Sequence, residues 1–192
     1  ETLISVPVRI LSDETRFVTY NEKTYYIRED SFTAKGQQNI DGKYYYFSSS
    51  GAMQTGFLNI DGKRYYYDPV TGEAVTGFIT LDTNGKTYYF DGANGALQGL
   101  QKINGKIYFL SDAGIVQYGL QTVNDKKYFF TEDGSAVSGW YYVESNHATY
   151  YFGDDGAAYT GWMKEGNESY YFYNNGMMAH GITVVDGEHL YF

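Results

Sequence analysis

"NIDGKYYYFSSSGAMQTGF", Asn39 to Phe57, is followed after a single Leu58 by "NIDGKRYYYDPVTGEAVTGF", Asn59 to Phe78. Each copy holds a β-branched residue, an Asp-Gly pair, a lysine, a run of aromatics, a loop with its own glycine, and a closing Gly-Phe. Asp-Gly and Asn-Gly supply the positive φ of a two-residue hairpin turn, and the flanking residues suit a pleated strand. Each copy therefore reads as strand, tight turn, strand, loop. A lone hairpin of this length is marginal in water, whereas stacked copies bury a continuous core. The repetition is the fold.

Extending the register outward from this pair places a glycine at the head of every unit: Gly36, Gly56, Gly77, Gly99, Gly119, Gly139, Gly161 and Gly181. The steps are 20, 21, 22, 20, 20, 22 and 20 residues, a period that marks a repeat architecture. An earlier unit aligns with Arg16 at the glycine place, which makes nine, the last stopping at Phe192. Insertions enlarge the turns of the units headed by Gly77 and Gly139, "LDTNGKT" and "VESNHAT". A second glycine (Ser31 in the first unit) turns the chain after the aromatics. No segment has a sustained helical period. The expected fold class is all-β, a β-solenoid of about nine stacked hairpin repeats over residues 16–192, with 1–15 as a cap or the tail of an upstream part.

Composition agrees. Tyr (23), Phe (12) and Gly (23) dominate, aromatics reach 19%, and cysteine is absent, so stacked rings rather than disulfides must hold the units together. A net charge of −9 argues against a nucleic-acid backbone or an anionic membrane surface as partner. No apolar run approaches the roughly 20 residues of a membrane span, so the chain is not expected to be membrane-embedded. Glu1 and Arg9 interrupt any signal-peptide pattern, so the start reads as mature or excised.

Strand alternation sorts the aromatics into two faces. The first and last of each run (Tyr45 and Phe47, Tyr128 and Phe130) share one face with Ile40 or Val123 of the partner strand and read as core. The middle ring, such as Tyr66, Tyr89, Tyr151 or Tyr171, points the other way, accompanied by the residue after the head glycine: Phe57, Phe78, Trp140 or Trp162. Two readings of that second face stand together. Successive hairpins stack through it, or its rings form flat platforms in the grooves, where a sugar or a quaternary ammonium can sit.

"GLQTVNDKKYFFTEDGSAVSGW" (119–140) and "GWMKEGNESYYFYNNGMMAHG" (161–181) resemble the choline-binding-type, or cell-wall-binding, repeats of Gram-positive bacteria. Similar arrays are the glucan-binding repeats of glucansucrases and the combined repetitive oligopeptides of large clostridial toxins. The resemblance covers residues 16–192 and implies a non-catalytic, secreted or cell-surface solenoid, about three hairpins to a turn, attached to an enzyme or toxin. In choline-binding repeats a Trp after the head glycine pairs with a Trp before the aromatic pair, and a ring from the next hairpin closes the box. Here only Trp140 and Trp162 fill the first place, and the second holds Thr24, Tyr44, Arg64, Thr87, Ile107, Lys127, Thr149, Ser169 and His189. Polar groups beside one ring suit a sugar, which stacks while its hydroxyls accept or donate hydrogen bonds.

The residues expected to bind carbohydrate are therefore Trp140, Tyr151, Trp162 and Tyr171 in the stronger groove, with Arg64, Tyr66 and Tyr89 in a weaker one and Gln101 as a donor. The expected partner is an oligosaccharide or polysaccharide: glucan, cell-wall glycan or host glycan. A toxin or adhesin array, a choline-binding anchor and a structural spacer are the other readings. Catalysis is not expected. His147, His180 and His189 lack metal-ligand spacing, Glu132-Asp133-Gly134 and Asp154-Asp155-Gly156 lack the calcium-loop pattern, and no nucleophile or phosphate-loop motif calls for a cofactor.

Overall fold

The computed structural model describes residues 16–192; the proposed cap at 1–15 lies outside the described residues. Among the described residues nine antiparallel hairpins follow one another. The first four pair Arg16–Tyr20 with Lys23–Ile27, Gly36–Ile40 with Lys43–Phe47, Gly56–Ile60 with Lys63–Tyr67, and Gly77–Leu81 with Lys86–Asp91. The next three pair Gly99–Ile103 with Lys106–Leu110, Gly119–Val123 with Lys126–Phe130, and Gly139–Val143 with Ala148–Phe152. The last two pair Gly161–Glu165 with Glu168–Phe172 and Ile182–Val185 with Glu188–Tyr191. Met53–Gln54 and Gly95–Ala96 add short third strands to the second and fourth hairpins. Among the described residues there is no α-helix, only a single 3-10 turn, Glu144–Asn146, in the enlarged turn of the seventh hairpin.

The turns have the geometry that their residues imply. Asp41 (φ 51°) and Gly42 (φ 81°) both take positive φ, the signature of the turn whose twist matches the strands it joins. The sixth turn does the same without glycine, through Asn124 (φ 50°) and Asp125 (φ 62°). Ser31, at the glycine place of the first unit, also takes positive φ, 63°.

The register sets the two faces. In each hairpin the residue after the head position stands opposite the middle aromatic: Phe57 opposite Tyr66, Phe78 opposite Tyr89, Trp140 opposite Tyr151, Trp162 opposite Tyr171. The core face is dry, with Phe47, Tyr67, Phe90, Phe130, Phe152 and Phe172 at most 2% exposed.

The chain forms two compact units, one ending at Leu97 and one running from Gln98 to Phe192. Within the first, Ala34, Ile40, Tyr45 and Phe47 form a buried cluster, covered by Tyr26 of the hairpin before. Within the second, Tyr128, Phe130 and Ala157 form one cluster, and Val143, Ala148, Tyr150 and Phe152 another. Loops lace neighbouring hairpins together. The loop after one hairpin donates a backbone N–H to the second strand of the hairpin before it: Ala74 to the Tyr44 carbonyl (2.7 Å), Ala136 to Ile107 (2.7 Å), Ala158 to Lys127 (2.8 Å). Alongside, the lysine that opens that strand reaches an acid of the same loop, as in Lys43–Glu73 (2.6 Å) and Lys106–Asp133 (2.9 Å). These ion pairs are exposed and add little; the backbone bonds and rings set the spacing.

Burial also makes the fold sensitive to alkali. Tyr67 is fully buried, with the Gln37 amide donating to its hydroxyl at 3.3 Å, and burial pushes its pKa up to about 12. An unfolded tyrosine ionises near 10, so between about 10 and 12 the unfolded chain loses this proton while the folded chain keeps it. The stability that neutral Tyr67 contributes is fully present below pH 10 and is lost as pH rises through 12. Urea midpoints should fall between pH 9 and pH 11, and fall less in Tyr67→Phe. An identical fall in both would show that this hydroxyl is not the sensitive group.

Candidate functional site

The second face of one hairpin meets the core face of the next. The middle ring packs on the last aromatic of the following run: Tyr46 on Tyr67 (6.3 Å), Tyr66 on Phe90 (6.3 Å), Phe109 on Phe130 (6.2 Å) and Tyr171 on Phe192 (6.2 Å). Middle rings therefore join hairpins, and most are half-buried. The residue after the head position sits further out, and where it is Phe17, Phe57, Trp140 or Trp162 it meets rings of its own hairpin and of the next.

The resulting corner recurs with near-constant geometry. Trp140 lies 5.3 Å from Tyr151 of its own hairpin and 4.7 Å from Tyr170 of the next, both rings steeply inclined to the indole (77° and 63°). Phe57 stands 4.9 Å from Tyr66 and 5.5 Å from Tyr88. Phe17 stands 5.0 Å from Tyr26 and 5.1 Å from Tyr45. In these three corners the nearer ring supplied by the next hairpin is the first of its run, which strand alternation assigns to the core alone. Tyr170, Tyr88 and Tyr45 serve both environments.

At the Trp140 corner the indole is 38% exposed. Its Nε1–H donates to Glu165 Oε2 at 2.9 Å, which brings an exposed carboxylate to the rim. The indole N–H is thus engaged within the protein, and Trp140 offers its ring face rather than a donor. The rings in contact with Trp140 are Tyr151, Tyr170 and Phe172. Trp162, 47% exposed, faces Tyr171 at 5.3 Å and Phe192 at 5.6 Å. The two tryptophans head separate corners on consecutive hairpins rather than one shared box.

In the third hairpin the Arg64 guanidinium lies over the Phe57 ring, 4.0 Å from its centroid, and 5.7 Å from Tyr88. Tyr66 borders the same corner, whereas Tyr89 packs on Phe78 of its own hairpin at 4.7 Å. Gln101 donates its side-chain amide to the Gln98 carbonyl (2.6 Å), as Gln38 does to Lys35 (2.7 Å) and Gln121 to Tyr118 (2.7 Å). A glutamine two places after the head glycine braces the backbone before that glycine, and only its second N–H is left for a ligand.

An open groove of about 810 Å³, lined by Tyr118, Phe129, Thr131, Glu132, Asp133 and Tyr141, joins the list of candidates that alternation did not find. Tyr141 packs on Phe129 of the preceding hairpin at 4.6 Å. Hydrogen bonds from the Ser135 and Thr131 hydroxyls, and then Lys106, hold the Asp133 carboxyl well below the usual carboxylate range. That carboxylate is saturated with donors and is no free base. Among the described residues, no three His, Cys, Asp or Glu side chains are grouped to hold a metal ion. No helix there is long and apolar enough to cross a membrane.

Two family models match the chain. One, described as a choline-binding repeat, matches residues 34–78 and 117–160; the other, a putative cell wall binding repeat, matches 15–30, 76–97 and 160–178. Among solved structures, CbpJ from Streptococcus pneumoniae superposes with a TM-score of 0.74 at 25% identity, covering 93% of this chain and 68% of that one. Choline-binding protein F from Streptococcus pneumoniae, in the presence of a peptidoglycan analogue, superposes with a TM-score of 0.70 at 28% identity, covering 88% of this chain and 59% of that one. The choline-binding domain of CbpL from the same organism, 21% identical with a TM-score of 0.68, shares the fold over 91% of this chain and 92% of that one. No curated protein sequence matches the chain.

Proposed function

Because the chain belongs to the superfamily of choline-binding-type and cell-wall-binding repeats, we propose that it is a non-catalytic module that holds a secreted Gram-positive bacterial protein on cell-surface glycan. The observation that carries this reading is the Trp140 corner. A sugar ring presents one apolar face that lies flat on an indole, while its equatorial hydroxyls reach sideways to polar groups. Here Thr149 sits two places before Tyr151 on the same strand face, and the Glu165 carboxylate lies at the rim to accept a sugar hydroxyl. The structure of choline-binding protein F with a peptidoglycan analogue supports a wall target. Repetition supplies avidity: several weak corners on one chain engage a polymer that itself repeats.

A second reading has a specific observation in its favour. Three ring faces with a carboxylate beside them also suit a quaternary ammonium such as choline, and Glu165 adds the negative charge that a neutral sugar does not need.

Tryptophan fluorescence separates the two, because both tryptophans head corners. Titration with oligosaccharides of peptidoglycan or glucan should shift the emission, and affinity should fall about tenfold or more in a Trp140→Ala, Trp162→Ala double variant. A shift with choline alone would replace the sugar reading by the second one. Sugar affinity unchanged in the double variant would remove these corners from the account.

A further inference from the structure

The third and seventh hairpins build the same corner from the same three places, yet one is open and the other is filled from within. In the seventh, the place two before the middle ring holds Thr149, an uncharged side chain too short to lie over the indole, and Trp140 is 38% exposed. In the third, that place holds Arg64, and its guanidinium lies over Phe57 at 4.0 Å and near Tyr88 at 5.7 Å. A cation against electron-rich faces is what such a corner binds best. Arg64 is half-buried, and its guanidinium makes no side-chain hydrogen bond or ion pair among the described residues, so the rings are its partners. Charge at this place does not by itself lead to the ring. Lys127, its counterpart in the sixth hairpin, turns away and donates to Thr122 Oγ1 at 2.6 Å, and the residue after the head glycine there is Leu120 rather than an aromatic.

We propose that Arg64 is a built-in occupant of the Phe57–Tyr66–Tyr88 corner, and that the residue at this place decides, unit by unit, whether a corner admits a cationic ligand. The guanidinium covers the ring face on which a quaternary ammonium would sit and adds its own positive charge there. An open corner, with Thr at the place, keeps its face for a ligand. The chain thus carries selective and closed corners on one repeating frame. The inference rests on the corners being ligand sites.

The test is site-resolved NMR of the whole chain, with tetramethylammonium as the probe. In the wild type, the Arg64 side-chain proton signals should be displaced upfield by ring currents and return to ordinary arginine positions in Phe57→Leu. Tetramethylammonium should leave the Phe57, Tyr66 and Tyr88 ring signals of the wild type unmoved. In Arg64→Thr, which installs the residue found naturally at Thr24, Thr87 and Thr149, those rings should respond saturably, with affinity raised about tenfold or more. Arg64→Gln, neutral and of similar reach, should give the same gain. Equal ring responses in wild type and both variants, no response in either variant, or ordinary arginine shifts in the wild type would each overturn the proposal. Failure of the glycan reading would be seen at the tryptophans with sugars, and would leave these ring signals as predicted.

Discussion

Replacing Phe130 by Ala should destabilise the chain by about 3–5 kcal/mol, the usual loss for a buried aromatic truncated in a packed core. Phe130 is 1% exposed and stacks on Tyr128 of its own strand (6.1 Å, 15°). It also receives Phe109 of the preceding hairpin at 6.2 Å, and Ala157 closes the cluster. It is the shared wall of two hairpins, so its removal weakens both an intrinsic unit and the interface on which a stacked array depends. Neighbouring rings are anchored by their own strands and cannot collapse fully into the space. The measurement is urea unfolding of Phe130→Ala beside Val70→Ala, a loop site 89% exposed where the change should stay within about 0.5 kcal/mol. A loss below about 1 kcal/mol at Phe130 would mean that the two faces of the hairpins are assigned the wrong way round.

The second large effect is expected at a glycine. Gly95 has φ +76°, and a Cβ there would lie 2.6 Å from the Arg64 carbonyl oxygen and 3.2 Å from its carbon. Backbone cannot swing aside as a side-chain tip can, so Gly95→Ala must push the short strand Gly95–Ala96 away from the third hairpin. Gly56 is the control, with φ +77° and nothing within 4 Å of its Cβ. Alanine at Gly56 meets only the left-handed backbone penalty, on the order of 1–2 kcal/mol. Alanine at Gly95 adds overpacking to that penalty, for a total of about 3 kcal/mol. Equal losses at the two sites would show that the close approach of loop to strand does not contribute.

Much of the fold could be read from residues because the signals were local. The Asp-Gly and Asn-Gly pairs specify the turn, the turn specifies the register, and the register puts Trp140 opposite Tyr151 and Trp162 opposite Tyr171. Alternation then separates the dry face of Phe47 and Phe130 from the half-buried face of Tyr46 and Phe129. The site was less legible, because it is made between hairpins. Which ring of the next unit closes a corner depends on the rotation from one hairpin to its successor, and no period-two pattern encodes that. Tyr170 was therefore assigned to core alone, though it also flanks Trp140. The same holds for Glu165, which bonds an indole 25 residues upstream, and for the Phe129–Tyr141 contact that walls the open groove. Equivalent places in consecutive units suggest one shared groove for Trp140 and Trp162. Equivalence under a repeat means the same environment displaced by one unit, which is what the two separate corners are.

Family membership and the ring corners converge on one claim, that this chain recognises surface glycan through aromatic platforms. A glycan array carrying peptidoglycan fragments, glucans and host glycans, probed with the chain and with its Trp140→Ala, Trp162→Ala variant, tests that claim most directly. The account predicts binding to wall-type or glucan oligosaccharides that is lost or strongly reduced in the variant. Silence across the array would contradict it and leave the rings with a purely structural role, and binding confined to host glycans would move the module from the bacterial wall to a toxin or adhesin.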